Sequence, residues 1–317
     1  MIGNGFGCFL ILTRMVFMKW IKNIGLLLVL LVFVLLLMGA DFWFFYHPKV
    51  IRTDGVIYGH RHGKELTMDI IRPEIGSNGL GIALMVSGGW KSGPPGSTPI
   101  EMMAPLLRRG YTIFAISHIS QPDATVMEII EDMHKGIRYV RYHAKKYQID
   151  PERLGVTGGS AGGHLSLMLA TTGGMGSAAA EDPVDRVSSA VQTVAIFYPV
   201  TDLLNLGSSR ENPGDGGPPK SYVEAFGPDA TNMEKWKQIG RDSSPIYHIH
   251  DRLPPTLIYH GDEDNLTPLD QSERYVEEVR KLGNTIELRV HQGGDHGWWT
   301  MIFDLQEFGV WFDRYLK

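Results

Sequence analysis

Leu154-Gly155-Val156-Thr157-Gly158-Gly159-Ser160-Ala161-Gly162-Gly163-His164-Leu165 runs from a short apolar strand, through a turn of small residues, into a helix. Its centre, Gly158-Gly159-Ser160-Ala161-Gly162, fits the spacing Gly-x-Ser-x-Gly, in which a strained turn exposes a serine above a parallel sheet. Small residues flank the serine because the turn is tight and the helix must pack close to the strand. The helix points its N-terminus at the serine, where developing negative charge is favoured. A glycine-rich turn without chemistry is the plain alternative, and the strand before and helix after weigh against it. A phosphate site fits less well, since the stretch lacks the Lys-Ser/Thr ending of a P-loop and the glycine spacing of a dinucleotide turn.

Strands and helices alternate on both sides of this turn. Val56–Tyr58 and Leu66–Ile71 read as early strands around His62-Gly63-Lys64. Gly81–Val86 is a buried strand ending in Ser87-Gly88-Gly89, and Tyr111–Ser117 is another. Val126, Ile130, Met133, Ile137 and Val140 recur at spacings of four and three, the stripe of a long amphipathic helix. Ala161–Thr171 is helical, Val191–Tyr198 and Thr256–Tyr259 are strands, and Pro268–Lys281 is helical. Thr285–His291 is a strand and Trp299–Tyr315 a closing helix. This order predicts an α/β fold with a mostly parallel central sheet and helices on both faces. Leu203–Leu253 breaks the rhythm with the loop Asn212-Pro213-Gly214-Asp215-Gly216-Gly217-Pro218-Pro219, and short helical stretches near Tyr222 and Met233. An insertion of that length is expected to cover a pocket as a lid.

The 317 residues are 43% hydrophobic and 21% charged with a net charge of −5, proportions that exclude a disordered, collagen-like or multi-span membrane chain. The acidic balance argues against nucleic-acid binding. Cys8 is the single cysteine, so no intramolecular disulfide forms. The first 47 residues differ from the rest. Ile24–Ala40 is an apolar run behind Arg14, Lys19 and Lys22, and an aromatic cluster, Phe42-Trp43-Phe44-Phe45-Tyr46, follows it. With that cluster as an interfacial belt the run reaches spanning length. The expectation is an N-terminal membrane segment: an uncleaved signal anchor, favoured over a cleaved signal peptide because Met38 is a poor residue three before a cut at Ala40. Met15 and Met18 are alternative starts, and a start at Met18 leaves an ordinary Lys-flanked signal. The basic flank predicts an exported domain, residues 48–317, anchored to the membrane or secreted if the signal is cut.

Ile149-Asp150-Pro151-Glu152-Arg153 followed by the opening stretch resembles the α/β-hydrolase superfamily, and more narrowly its esterase branch. That branch includes the hormone-sensitive-lipase-like and acetylxylan- or feruloyl-esterase-like enzymes. The resemblance runs from about residue 55 to the C-terminus and implies a triad in the order serine, acid, histidine. His296, in Gly293-Gly294-Asp295-His296-Gly297-Trp298, stands between the last strand and the last helix, where the superfamily places its base. His291 is the second candidate. His134 and His143 are expected at a helix surface, and His164 is read as structural. For the acid, Asp264 has the family spacing to Thr267-Pro268, with Asp262 and Glu263 as turn residues. The oxyanion hole is expected from the N–H groups of Ala161, Gly88 and Gly89. The related esterases show His-Gly-Gly-Gly-Trp where this chain has Val86-Ser87-Gly88-Gly89-Trp90, and a Tyr-Arg pair where it has His118-Ile119-Ser120. Trp90 is expected to line the substrate pocket or to pack beneath it.

The resulting expectation is a serine hydrolase of carboxylic esters, with Ser160 as nucleophile, His296 as base and Asp264 as its partner, needing no metal or cofactor. Short acyl groups, such as acetyl on a carbohydrate, suit an exported relative of these esterases. The rival readings are a prolyl-oligopeptidase-like peptidase and a non-catalytic, membrane-anchored binding module. The chain leaves no room for the peptidase's large propeller, and a dead relative would typically lose one of the three residues.

Overall fold

In the computed structural model, residue 28 and residues 30–317 are described. Residues 24–27 and 29 of the apolar run, with Cys8, Arg14, Met15, Met18, Lys19 and Lys22, lie outside them. Residues 30–46 are helical, and every large apolar side chain from Leu30 to Met38 is exposed. Among the described residues no helix is long and apolar enough to cross a membrane.

Residues 48–317 form a separate compact unit. Its sheet has eight strands: β1 (Val50–Arg61), β2 (Lys64–Pro73), β3 (Gly81–Met85), β4 (Thr112–Ile116), β5 (Leu154–Gly159), β6 (Thr193–Phe197), β7 (Thr256–Gly261) and β8 (Ile286–His291). They lie in the order β1-β2-β4-β3-β5-β6-β7-β8. The pairs β1–β2 and β2–β4 are antiparallel, and all others are parallel. The mostly parallel α/β sheet is as expected. The first strand is longer than the Val56–Tyr58 read from sequence. Its Arg52-Thr53-Asp54-Gly55 stretch lacks apolar alternation because it sits on an edge with two register shifts. His62 and Gly63, with φ of 51° and 73°, make the two-residue turn into β2.

Adjacent positions on each strand feed opposite faces. Val194 and Ile196 of β6 join one core, with the helices α2 (Val126–Tyr142), α3 (Ala161–Thr172) and α5 (Leu269–Lys281). Ala195 and Phe197 join the other, under α1 (Ile100–Leu107) and α6 (Met301–Leu316). Helix α1 escaped the sequence reading: it is short, holds Pro105, and follows a loop of prolines and glycines. Its Met103, Leu106 and Leu107 are nonetheless buried. A capping box between Thr125 and Glu128 starts α2. Within the insertion, α4 (Met233–Asp242) is anchored by Trp236, whose indole N–H donates to Gly216 O at 2.9 Å.

The chain builds outward from β3 in both directions, first to β4 and then to β5. Loops leaving β3 and β5 therefore diverge to opposite faces, and a crevice opens between them at the carboxyl edge. Ser160, His296 and Asp264 gather there.

Candidate active site

Ser160 occupies the sharp turn between β5 and α3, with φ 56° and ψ −122°, a backbone region that non-glycine residues rarely hold. The strain is over-determined by packing. A Cβ at Gly158 would lie 2.6 Å from the carbonyl group of Gly162, and one at Gly162 would lie 2.5 Å from Met85 O. Ser160 N–H donates to Phe197 O at 3.1 Å, tying the turn to β6.

Loops after β7 and β8 bring two side chains to this serine. Ser160 Oγ is 2.9 Å from His296 Nε2, and His296 Nδ1 is 2.7 Å from Asp264 Oδ2. With Nδ1–H donated to the carboxylate, Nε2 is free to accept the serine hydroxyl proton. Thr267 Oγ1 stands 3.0 Å from the same Nδ1. Asp264 Oδ1 accepts the N–H groups of Leu266 and Thr267, each at 2.9 Å. His260, fully buried, lies 3.5 Å from Asp264 Oδ2 and donates Nε2–H to Thr267 O at 2.6 Å. Burial pushes the Asp264 carboxyl up, but the hydrogen bonds from His260, His296 and Thr267 N–H, with the His296 charge, hold it well below the usual carboxylate range.

The oxyanion loop differs in one respect from the sequence expectation. Gly88 is in the loop, but its N–H donates to Lys91 O at 2.9 Å, while Gly88 O accepts from Lys91 N at 3.0 Å. In a trans peptide the N–H opposes the C=O, so the Gly89 N–H points away from Lys91. The N–H groups of Gly89 and Ala161 have no hydrogen-bond acceptor among the described residues. Both residues border the same cavity as Ser160. Gly162 N–H donates to Ser87 O at 3.1 Å, fastening the loop to the start of α3.

That cavity holds about 40 Å³ and is walled by Trp90, Val200, Leu203, Leu206, Pro219, Tyr222 and Leu266, with Glu211, Ser209 and Gln271 among its polar neighbours. Leu203, Leu206, Ser209, Glu211, Pro219 and Tyr222 among these come from residues 203–253. Trp90 both lines the cavity and packs beneath it, with ring centroids 5.5 Å from Tyr222 and 5.3 Å from Phe226. Its indole N–H donates to His164 Nδ1 at 3.2 Å, and His164 Nε2–H donates to Ser243 O at 2.6 Å. Both His164 nitrogens are committed and burial pushes its pKa down to about 4, so the ring is a neutral strut from α3 to the insertion.

The remaining candidates sit elsewhere. His291 stacks on Trp298 at 4.5 Å, while the Ser160 hydroxyl is paired with His296 Nε2. Asp262 and Glu263 are exposed, and Asp262 Oδ1 closes a turn by accepting Gly293 N–H at 2.7 Å. His134 is no free surface residue. It is half-buried and bridges Ser189 Oγ at 2.9 Å and Thr172 Oγ1 at 3.0 Å, because α2 packs against the end of α3. His143, also half-buried, ends α2 with its ring 4.4 Å from Tyr139. Sequence reasoning used Thr267 only to place Asp264, and assigned no part in the site to Glu211, Tyr222 or Tyr198. Tyr198 has φ 31°, and its ring lies 4.5 Å from that of His296. Its place at the end of the apolar run Val191–Tyr198 was the one available signal.

With the geometry in hand, likeness to known proteins carries weight. A family model described as BD-FAE matches residues 68–279, more than half of the chain. The probable carboxylic ester hydrolase LipM of Mycobacterium tuberculosis is 28% identical over 237 residues, covering 72% of this chain and 52% of LipM. The chain thus spans about half the length of that relative. An acetylxylan esterase of Xylanibacter ruminicola is 27% identical over 215 residues, covering 65% of this chain and 39% of the enzyme. A thermophilic esterase from Thermogutta terrifontis, solved with butyrate bound, superposes with a TM-score of 0.61 at 26% identity, covering 85% of this chain and 93% of that one. Eight strands in the α/β-hydrolase order, the strained serine turn and the family match agree: this chain belongs to the BD-FAE family, in the esterase branch of the α/β-hydrolase superfamily.

Proposed function

We propose that the domain is a serine esterase that cleaves short-chain carboxylic esters through an acyl-enzyme. Ser160 attacks the acyl carbon while His296 Nε2 takes its proton. Asp264 holds the Nδ1–H tautomer and stabilises the imidazolium. The N–H groups of Gly89 and Ala161 receive the negative charge that develops on the carbonyl oxygen. His296 returns its proton to the leaving alcohol, then activates water to release the acid and free Ser160. The observation that carries the reading is the continuous chain Ser160 Oγ, His296 Nε2, His296 Nδ1, Asp264 Oδ2, with links of 2.9 and 2.7 Å, beside two unused N–H donors.

The acyl group is small. The cavity beside Ser160 is narrow and walled by Trp90, Tyr222, Leu203 and Leu206, which supports a short acyl chain. The acetylxylan esterase among the relatives makes an acetylated carbohydrate the favoured substrate. The domain works outside the cytoplasm, tethered by its N-terminal segment. The apolar, exposed helix at 30–46 behind Arg14, Lys19 and Lys22 supports this placement.

The test is turnover of acetyl, butyryl and octanoyl esters by the full chain beside Ser160→Ala, with the cells first separated into membrane and soluble fractions. Acetate and butyrate release in the membrane fraction, abolished by the substitution, is expected. Turnover retained by Ser160→Ala, or a preference for octanoate, overturns the assigned nucleophile or the acyl size. Activity in the soluble fraction overturns the tether.

A further inference from the structure

The two places where the chain leaves the esterase pattern, Ser87 and His118-Ile119-Ser120, meet in the folded protein. Ser87 follows β3 and His118 follows β4, and these parallel neighbours bring their ends together. His118 Nδ1 is 2.9 Å from Ile119 O, a group that only accepts, so this nitrogen carries the ring proton. Nε2 is then an acceptor, and Ser87 Oγ–H donates to it at 2.9 Å. His118 is 6% exposed, and burial pushes its pKa down to about 4, so the ring stays neutral and keeps this polarity at neutral pH.

The next residues grip the rest of the oxyanion loop. Ser120 Oγ accepts Ser92 N–H at 3.0 Å. Gln121 N–H donates to Trp90 O at 2.9 Å, and Gln121 Nε2 donates to Gly89 O at 3.3 Å. The histidine that opens the loop in the related pattern is replaced here by Val86, and a histidine arrives instead from the neighbouring strand.

We propose that His118 is a positioning residue for ester hydrolysis: by accepting the Ser87 hydroxyl it holds the β3 loop so that the Gly89 N–H meets the oxyanion. This rests on the esterase reading and deepens it. An oxyanion donor helps only when it is already aimed at the developing charge, so slack in the loop lowers the rate of the chemical step more than substrate binding.

The experiment measures kcat and KM of the full chain with a short ester, for Ser87→Ala, His118→Phe, the double substitution and His118→Gln. Each of the first two is expected to lower kcat about tenfold with KM within about twofold, a fraction of the loss from deleting an oxyanion donor. The double substitution should lose no more than the worse single, because both remove one bond. His118→Gln should recover most of the rate, since its Oε1 can accept the same hydroxyl. Inhibition by a boronic acid should weaken by the factor lost from kcat. If His118→Phe does not fold, Ser87→Ala and His118→Gln carry the test. Unchanged kcat in the single substitutions, or additive losses without rescue by glutamine, overturns the role of His118 alone. Absence of turnover in the unsubstituted chain, with no labelling of Ser160 by a fluorophosphonate, removes the esterase reading and this role with it.

Discussion

The two sides of the crevice are built differently. On the side proposed for acid–base work, the loops after β7 and β8 keep Asp264 ahead of Thr267-Pro268 and His296 ahead of Gly297-Trp298, as the resemblance implies, and Asp264 is held redundantly by Leu266 N–H, Thr267 N–H, His260 and His296. On the oxyanion side, the loop after β3 departs from the pattern, and its support comes from another strand through His118, Ser120 and Gln121. A charged pair must be matched by specific side chains, so its residue types show in the sequence. A backbone donor needs only direction, and many different side chains can supply that.

If the contrast is sound, the largest loss lies on the acid–base side. Asp264→Asn should reduce kcat about 10⁴-fold, because the amide favours the wrong imidazole tautomer while leaving the packing in place. A loss under about tenfold, read by steady-state kinetics, would give the acid role to another group. The oxyanion side should respond less, and unevenly. At Gly89 a Cβ would stand 2.9 Å from Tyr222 Cε1 on a backbone with φ 56°, so Gly89→Ala should cost about 10²-fold in kcat. At Gly88 an added Cβ meets nothing within 4 Å and the N–H is already committed to Lys91, so Gly88→Ala should leave kcat within about twofold. Equal losses at both glycines would return Gly88 to the oxyanion hole.

The smallest effect concerns stability. Burial holds His118 and His164, struts of the oxyanion side, at about 4, below the ordinary value of 6.5. Below pH 6.5 the unfolded chain takes up protons that the folded chain refuses, so stability is full above that pH and falls as pH drops toward 4. Thermal unfolding should therefore shift several degrees lower between pH 7 and pH 4.5, and His164→Gln should reduce the slope. A melting point flat across that window would show that neither histidine is held neutral.

Much of the fold was legible. The stripe of α2 and the buried runs of β3 to β7 announced themselves because burial on one or both faces imposes a pattern on side chains. Edge strand β1, read only at Val56–Tyr58, and helix α1, not read at all, did not. The first alternates poorly because only Tyr58 of its 12 residues is buried and two register shifts interrupt its pairing, and the second has a proline inside a single apolar patch. His134 was misjudged for a related reason: a polar residue on a helix reads as exposed until the neighbouring element that hydrogen-bonds it is known.

The linear chain by itself named the residues that the proposed chemistry needs. Gly-x-Ser-x-Gly between strand and helix, Asp264 ahead of Thr267-Pro268, and His296 before the closing helix are residue types that the chemistry demands, each in a local context that one segment supplies. Only the tertiary structure decided which loop N–H remains free, that Gly88 spends its own on Lys91, and that His118 stands behind Ser87. The first depends on where a local turn from Gly88 to Lys91 points a backbone dipole, and the last on the sheet order, which sets the ends of β3 and β4 side by side and brings together residues about 30 positions apart.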